Sequence, residues 1–315
     1  MIACYNHEGL VREAVASALS QKHPGKEIIV VDDGSRDGTA DVLGTFGASI
    51  ILAKFPNNRG AEFARNHGAS LAKGDYLVFL DGDDVLMPWA LDVYDGLITA
   101  RCPKFILGRS AMIHGKVPEV KTGARPSNTQ FVEYTEFLAK DRPCFMNTST
   151  LVVDRSTFWS VGGWSQGIFY QDMQDLVTKM GVSGKMILVL TPDTVWYRMH
   201  LTNASRKVSP FIEGIHVLLA KARAGLYPGG RKRRVARSAW FGGLIFYWTK
   251  EAMRVGLYRD GLNLLTSGWW MILFAVIRRS MARLVGRKPI ELLSLKQRLG
   301  GEDTDAGIFS RHETS

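Results

Sequence analysis

The 315 residues are 46% apolar and 22% charged, which excludes a disordered chain and allows one large domain with an appendage, or two domains. The net charge of +10 is concentrated in one place: residues 1–203 hold 20 Lys/Arg against 22 Asp/Glu, residues 204–299 hold 19 against four, and the last 16 residues are net −3. Three scattered cysteines (Cys4, Cys102, Cys144) exclude a disulfide framework and lack metal-ligand spacing, so a reducing compartment is expected.

The first 110 residues alternate helix and strand signals. The opening MIACYNHEGL has neither a basic start nor a long apolar core, so no signal peptide is expected. Residues 10–19 have helical spacing, with Leu10, Ala14 and Ala18 beside Val11, Val15 and Leu19. EIIVV at 27–31 is a short apolar run that ends in Asp-Asp-Gly-Ser, a buried strand meeting a turn. Residues 49–53 form a second such run, 60–71 a helix and 76–80 a further strand. Pro88 suits the first turn of the next helix. This alternation predicts parallel βαβ units with helices on both faces. In such sheets ligands bind at the carboxyl ends of the strands, where Asp32-Asp33 and Asp81–Asp84 fall. Strand signals return at 150–153, 186–190 and 194–199, with Gly162-Gly163-Trp164 and a helix from Asp172 between them. Beyond about Pro210 the pattern turns to long helices rich in Trp, Leu and Arg, and residues 300–315 form a polar tail expected to fray.

Five stretches carry chemistry. VVDDGSRDGT (30–39) exposes carboxylates after a strand, with Thr39 or Asp37 able to cap the helix that follows; alone it fits a capped βα turn equally well. NNRGAEFARNHG (57–68) feeds a loop into a helix start, whose free N–H groups suit an anion; an ordinary amphipathic helix fits the same residues. LDGDDVLMP (80–88) is the sharpest. Its three carboxylates would raise one another's pKa values unless they share a cation. Oxygen ligands suit Mg²⁺ or Mn²⁺, completed by substrate phosphates and water, so the cluster predicts a metal with a diphosphate rather than a solvated turn. Within it Asp84 is the aspartate expected to be only a helix-start charge. YQDMQDL (170–176) places Asp172 at a helix start and Asp175 one turn later. Asp172 would be a general base if it faces a cleft, or simply a charge favoured by the helix dipole. WYRMHLTNASR (196–206) puts Arg198 and His200 on one face of a strand, as metal or phosphate contacts or as a polar strand face.

Taken together, in this order and spacing, the five motifs resemble glycosyltransferase family 2, with the GT-A fold: an α/β, Rossmann-like, mostly parallel sheet flanked by helices. The resemblance covers about residues 1–206. It divides the chain into a GT-A glycosyltransferase domain (1–206), a basic, Trp-rich helical region (207–299) and a polar tail (300–315). It implies an inverting transfer from a nucleotide-diphosphate sugar to a hydroxyl of a glycan or lipid-linked acceptor, in cell-envelope or extracellular polysaccharide synthesis. Tyr5 and Asp33 would contact the base. Arg65 would lie near the nucleotide, and Asp81 would face the ribose or metal side. Asp83 would bind the Mn²⁺ or Mg²⁺ that bridges the diphosphate, His200 would complete that site, and Asp172 would be the catalytic base.

Three departures stand against the resemblance. Gln171 replaces the Glu that usually precedes the base. The first strand has only Ile2, Ala3 and Cys4 ahead of Tyr5, which suggests a misassigned start or a clipped strand. Ala3-Cys4 replaces Pro-Thr, with Cys4 expected to be a small buried residue and not a nucleophile. Gln171 and the short start support the alternative of a catalytically inactive nucleotide-sugar-binding or membrane scaffold protein.

The basic segment contains two uncharged runs, 238–249 and 261–277. Seventeen residues is near the lower limit for a membrane span, and Trp269-Trp270 fall in mid-run instead of at an end. Helices lying on a membrane surface or packing on the catalytic domain are therefore expected. Clusters at 231–234 and 278–288 would meet anionic headgroups in a peripheral contact through residues 231–288, at the cytoplasmic face of the cell membrane. A soluble bundle with a basic solvated face fits the same composition. Nucleic acid is not expected as a partner, because no binding module accompanies the charge.

Overall fold

The computed structural model describes residues 1–120, 126–139, 146–168, 170–200, 208–284, 292–296 and 308–311. Its first sheet is wholly parallel, in the order β3 (Ile51–Lys54), β2 (Ile29–Asp32), β1 (Ile2–Cys4) and β5 (Leu80–Asp81). The connecting helices are α1 (Val11–Leu19), α2 (Thr39–Gly44) and α3 (Ala61–Leu71). The short β1 lies at the centre, with Ile2 and Cys4 buried. Val11, Ala14, Val15 and Ala18 turn one face of α1 into the same core as Ile2, Val30 and Leu80.

The apolar run 76–80 divides between two sheets. β4 (Tyr76–Val78) pairs antiparallel with β10 (Leu151–Asp154), whereas Leu80 and Asp81 turn to pair with β1. The second sheet also holds β7 (Phe105–Leu107), β9 (Asn128–Tyr134) and β11 (Met186–Thr191), with only β7 and β11 running parallel. Parallel pairing throughout, as the alternation predicts, thus holds for the first sheet and gives way to mixed pairing in the second. A third sheet joins β6 (Val85–Leu86), β12 (Val195–Met199) and β8 (Ser110–His114). It brings residue 200 back over the turn after β5. The helices α4 (Ala90–Arg101), α5 (Arg155–Ser160) and α6 (Asp172–Lys179) complete this part. Pro88 sits just before α4, whose N-cap is Trp89.

Three longer helices follow: α7 (Val208–Arg223), α8 (Arg234–Arg254) and α9 (Tyr258–Leu284). They share an apolar core that includes Ile215, Leu219, Phe241, Ile245 and Leu264. Gly242 lets α8 and α9 touch, since a Cβ there would stand 2.0 Å from the Met271 carbonyl oxygen. The unit packs on the α/β part, one of the two arrangements expected for it. Trp240 meets Phe137 edge to face at 4.9 Å, Arg233 pairs with Glu136 at 2.6 Å, and Arg278 donates to the Leu138 carbonyl at 2.8 Å. The segment Tyr258–Arg278 is long and apolar enough to cross a membrane, but α9 is interrupted at Gly268, whose φ of −153° and ψ of 27° are not helical. Leu262, Trp269, Leu273 and Val276 are exposed on one face of α9, and Phe246 and Tyr247 are exposed on α8. Two further strands, β13 (Leu292–Lys296) and β14 (Ile308–Arg311), extend the second sheet beyond β9. β14 lies within the stretch expected to fray. Cys4 and Cys102 are free thiols, and Cys144 lies outside the described residues.

Candidate active site

The acidic turn is built by close approach. Gly82 follows β5, and a Cβ there would stand 2.5 Å from Cys4 Cβ and 2.7 Å from His7 Nδ1, so only glycine lets the turn pack on β1. Cys4 is the small buried residue that this packing needs. Burial drives its thiol pKa up, with Asp32 adding to the effect, and leaves it un-nucleophilic.

The three aspartates of the turn take three roles. Asp81 accepts from Arg65 Nη2 at 2.8 Å. Asp83 Oδ2 lies 2.8 Å from His200 Nε2, so the predicted pair comes together. Asp84 is not a helix-start charge. It is 1% exposed and accepts from Ser149 Oγ at 2.5 Å and from the Arg198 N–H at 3.0 Å. Burial raises its pKa well above the carboxylate range, with the charges of Asp83 and Asp81 adding to the shift. Ser149 links two of the roles, because its Oγ also receives the Asp81 N–H at 3.0 Å.

Arg65 is the hub of the site. From α3 its Nη1 reaches Asp172 Oδ2 at 2.6 Å while Nη2 holds Asp81. Its guanidinium also lies 5.1 Å from the centroid of the buried Trp164 ring. Burial opposes the Arg65 charge, but Asp81 and Asp172 outweigh it and push its pKa up. Asn66 completes the frame by exchanging hydrogen bonds with the Trp164 backbone, at 2.8 and 2.9 Å. The Ala-Arg-Asn stretch and the Gly-Gly-Trp turn are therefore one assembly, which places Asp172 opposite the acidic turn. Residue spacing gives no signal of this.

Asp33 and Arg198 are more committed than the sequence suggests. Asp33 accepts the Arg59 and Gly60 N–H groups at 2.8 and 2.9 Å, so the anion at the start of α3 is the protein's own. Burial raises the Asp33 pKa, and those two hydrogen bonds oppose the rise. Arg198 donates to the carbonyls of Asp83 and Gly115, at 3.0 and 2.6 Å, and pairs with Glu13, so it braces the turn. Tyr5 lies half exposed just beyond β1. The rest of the Trp-Tyr-Arg-Met-His motif, residues 201–206, lies outside the described residues. Glu62, on the first turn of α3, lies within the 57–68 stretch, where sequence alone gives it no role. Burial raises its pKa, the negative charge of Asp172 adds, and Arg65 opposes.

Asp83 and His200 suit a divalent ion. One carboxylate and one imidazole meet at 2.8 Å, both under a quarter exposed, a donor pair that Mn²⁺ or Mg²⁺ accepts when substrate oxygens complete the shell. Among the described residues no cluster of three or more His, Cys, Asp or Glu forms a full protein cage.

A parallel sheet with acidic turns at its carboxyl edge, joined to a mixed second sheet, defines a GT-A glycosyltransferase fold. Residues 1–102 match the family model described as Glycosyl transferase family 2. Over 209 residues it is 29% identical to the Escherichia coli UDP-Glc:alpha-D-GlcNAc-diphosphoundecaprenol beta-1,3-glucosyltransferase WfaP, which covers 65% of this chain and 78% of the relative. It is 36% identical over 88 residues to the poly-beta-1,6-N-acetyl-D-glucosamine synthase of Staphylococcus epidermidis, and there it spans only about a fifth of the relative's length (21%). The solved structure of S. aureus TarS 1–349 in complex with UDP-GlcNAc superposes with a TM-score of 0.67 at 15% identity, covering 84% of this chain and 78% of that one.

Proposed function

We propose that this chain is an inverting, metal-dependent glycosyltransferase that moves a sugar from a nucleotide-diphosphate donor to a hydroxyl of a glycan or lipid-linked acceptor, in cell-envelope or extracellular polysaccharide synthesis. The observation that carries the reading is Arg65, which holds Asp172 and the acidic turn together across the carboxyl edge of the parallel sheet. Kinship with WfaP and the UDP-GlcNAc complex of TarS favour a UDP-sugar as the donor to test first.

An acceptor hydroxyl is a poor nucleophile near neutral pH. Asp172 takes its proton as the oxygen attacks the anomeric carbon. Arg65 binds Asp172 through Oδ2, which leaves Oδ1 for the acceptor. Attack from the face opposite the leaving group inverts the anomeric configuration without a sugar–enzyme intermediate. Asp83 and His200 would hold Mn²⁺ or Mg²⁺, which when bound supplies charge stabilisation to the departing diphosphate. Tyr5 and Asp33 would contact the base. Gln171 removes a negative charge beside Asp172 but leaves the base itself in place.

The C-terminal helices give the protein its place in the cell. Residues 208–284 hold 13 Lys/Arg against three Asp/Glu, and they expose Phe246, Tyr247, Trp269, Leu273 and Val276. Apolar side chains beside basic ones suit peripheral contact with an anionic membrane at its cytoplasmic face.

The test is transfer from UDP- and GDP-sugars with and without Mn²⁺, for wild type and Asp172→Asn. Metal-dependent transfer by wild type alone is expected. If both proteins are inactive while nucleotide binding persists, the chain is an inactive sugar-nucleotide-binding scaffold. Flotation with anionic and neutral vesicles tests the membrane contact: binding to neither overturns it.

A further inference from the structure

Asp175 lies one turn beyond Asp172 on α6, and the reaction scheme gives it no task. It is 0% exposed, yet it is a carboxylate. Its Oδ1 receives Lys221 Nζ at 2.5 Å and the Tyr227 hydroxyl at 2.7 Å, while Lys179 lies 3.6 Å from Oδ2. Lys221 belongs to α7, and Tyr227 follows it on the way to α8. Lys221 and Lys179 both also reach Ser165 Oγ, at 3.0 and 3.1 Å, just past the Gly-Gly-Trp turn that cradles Arg65.

The other end of α6 is held from the same side. Gln171 is fully buried and donates to the Phe211 carbonyl of α7 at 3.3 Å. Tyr170, at a φ of +57°, stacks on the Phe211 ring at 5.1 Å, and Phe211 stacks on Trp248 of α8 at 4.3 Å. So the residues on both sides of Asp172 are fixed by the C-terminal helices, while Asp172 itself faces Arg65. A well-packed apolar residue would bury at position 175 at lower cost than an ion cluster. What the cluster adds is direction: hydrogen bonds fix where α6 stands, and apolar contact alone would let it slide.

We propose that Asp175, clamped by Lys221 and Tyr227, is a positioning residue for glycosyl transfer, through which the C-terminal helices set the place of Asp172. The role rests on Asp172 being the base. It makes the helical unit part of the catalytic apparatus as well as its attachment to a surface.

The experiment uses the full chain with Tyr227→Phe, Lys221→Met and Asp175→Asn, each alone and combined with Asp172→Asn. Alone, each is expected to lower kcat about tenfold or more, with nucleotide affinity and donor KM within about twofold of wild type. On the residual rate of Asp172→Asn the same changes are expected to cost less than about twofold, because the clamp acts through the base. Lys221→Arg, which keeps the charge, is expected to restore most of kcat. Tyr227→Phe removes a single hydroxyl, so it carries the test if Asp175→Asn fails to fold. Folded clamp variants with wild-type kcat overturn the role. So does an equal loss in both backgrounds, which would mark ordinary destabilisation. A wild type that transfers nothing instead overturns the donor–acceptor reading beneath it, and this role with it.

Discussion

Arg65 meets Asp172 at 2.6 Å, and the same guanidinium holds Asp81 at 2.8 Å from its other terminal nitrogen. Two carboxylates from opposite sides of the site thus share one buried cation. Removing it leaves two partly buried carboxylates without a counter-charge. Arg65→Met is expected to destabilise the fold by less than the roughly 3–5 kcal/mol that breaking a fully buried pair from one side costs. Arg65→Lys keeps the charge but cannot span both partners with a planar fork, so it should fold and lose most of its transfer rate. Chemical denaturation together with kcat for both variants checks this. An Arg65→Lys enzyme with wild-type kcat would show that the fork geometry is dispensable.

Asp83 and His200 make a separable prediction. His200→Ala should leave the fold intact and raise the Mn²⁺ concentration needed for nucleotide-diphosphate binding by about 10–100-fold, the range seen when a metal site loses a supporting group. Asp83→Ala should abolish the metal dependence. Calorimetric titration of UDP against fixed Mn²⁺ concentrations reads both. Unchanged metal-dependent binding in Asp83→Ala would remove that residue from the site.

Much of this site was legible in the sequence because its parts are local. EIIVV, the Asp-Gly-Asp turn and the helix from Asp172 each announce themselves within ten residues; the structure puts the first two in one sheet and joins Asp172 to the turn through Arg65. What was not legible depends on partners far along the chain. Arg65 reads as a residue near the nucleotide until Asp81 and Asp172, 16 and 107 positions away, are seen to flank it. Strand alternation places Arg198 on the face of His200 but says nothing of the carbonyls that occupy it. Asp84 reads as a solvated helix-start charge because burial is a property of the packed sheets and not of the turn. The division of residues 76–80 between two sheets is likewise decided by β10, a strand some 70 residues later.

Gly34 tests the frame that holds the loop before α3. It has a φ of +72°, and a Cβ there would stand 2.5 Å from the Asn57 carbonyl carbon and 2.8 Å from the Asn58 nitrogen, both backbone atoms that cannot swing aside. The backbone conformation alone costs a non-glycine residue about 1–2 kcal/mol, and the overlap adds to it. Gly34→Ala should therefore push apart the turn after β2 and the loop that Asp33 holds through Arg59 and Gly60. The expected result is a lower Tm together with weaker nucleotide binding, read by thermal unfolding with and without UDP. A variant as stable as wild type would mean that the two loops can separate without cost.

Asp84 gives the protein a pH dependence of definite sign. Burial raises its folded-state pKa above the unfolded value of about 4, and Asp83 and Asp81 raise it further. The folded chain therefore holds this proton more tightly than the unfolded chain does. The stability contributed by the group is fully present below about pH 4 and is lost as pH rises through the folded-state value. Asn at this position keeps an acceptor oxygen for the Arg198 N–H and can donate to Ser149 Oγ, but it does not ionise. Asp84→Asn should thus gain stability relative to wild type as pH rises above about 4 towards the raised folded-state value, because there the unfolded wild-type carboxyl ionises while the folded one holds its proton. Urea unfolding of both proteins across that range isolates the difference from every other titrating group. A difference that stays constant with pH would mean that Asp84 already ionises in the ordinary carboxylate range.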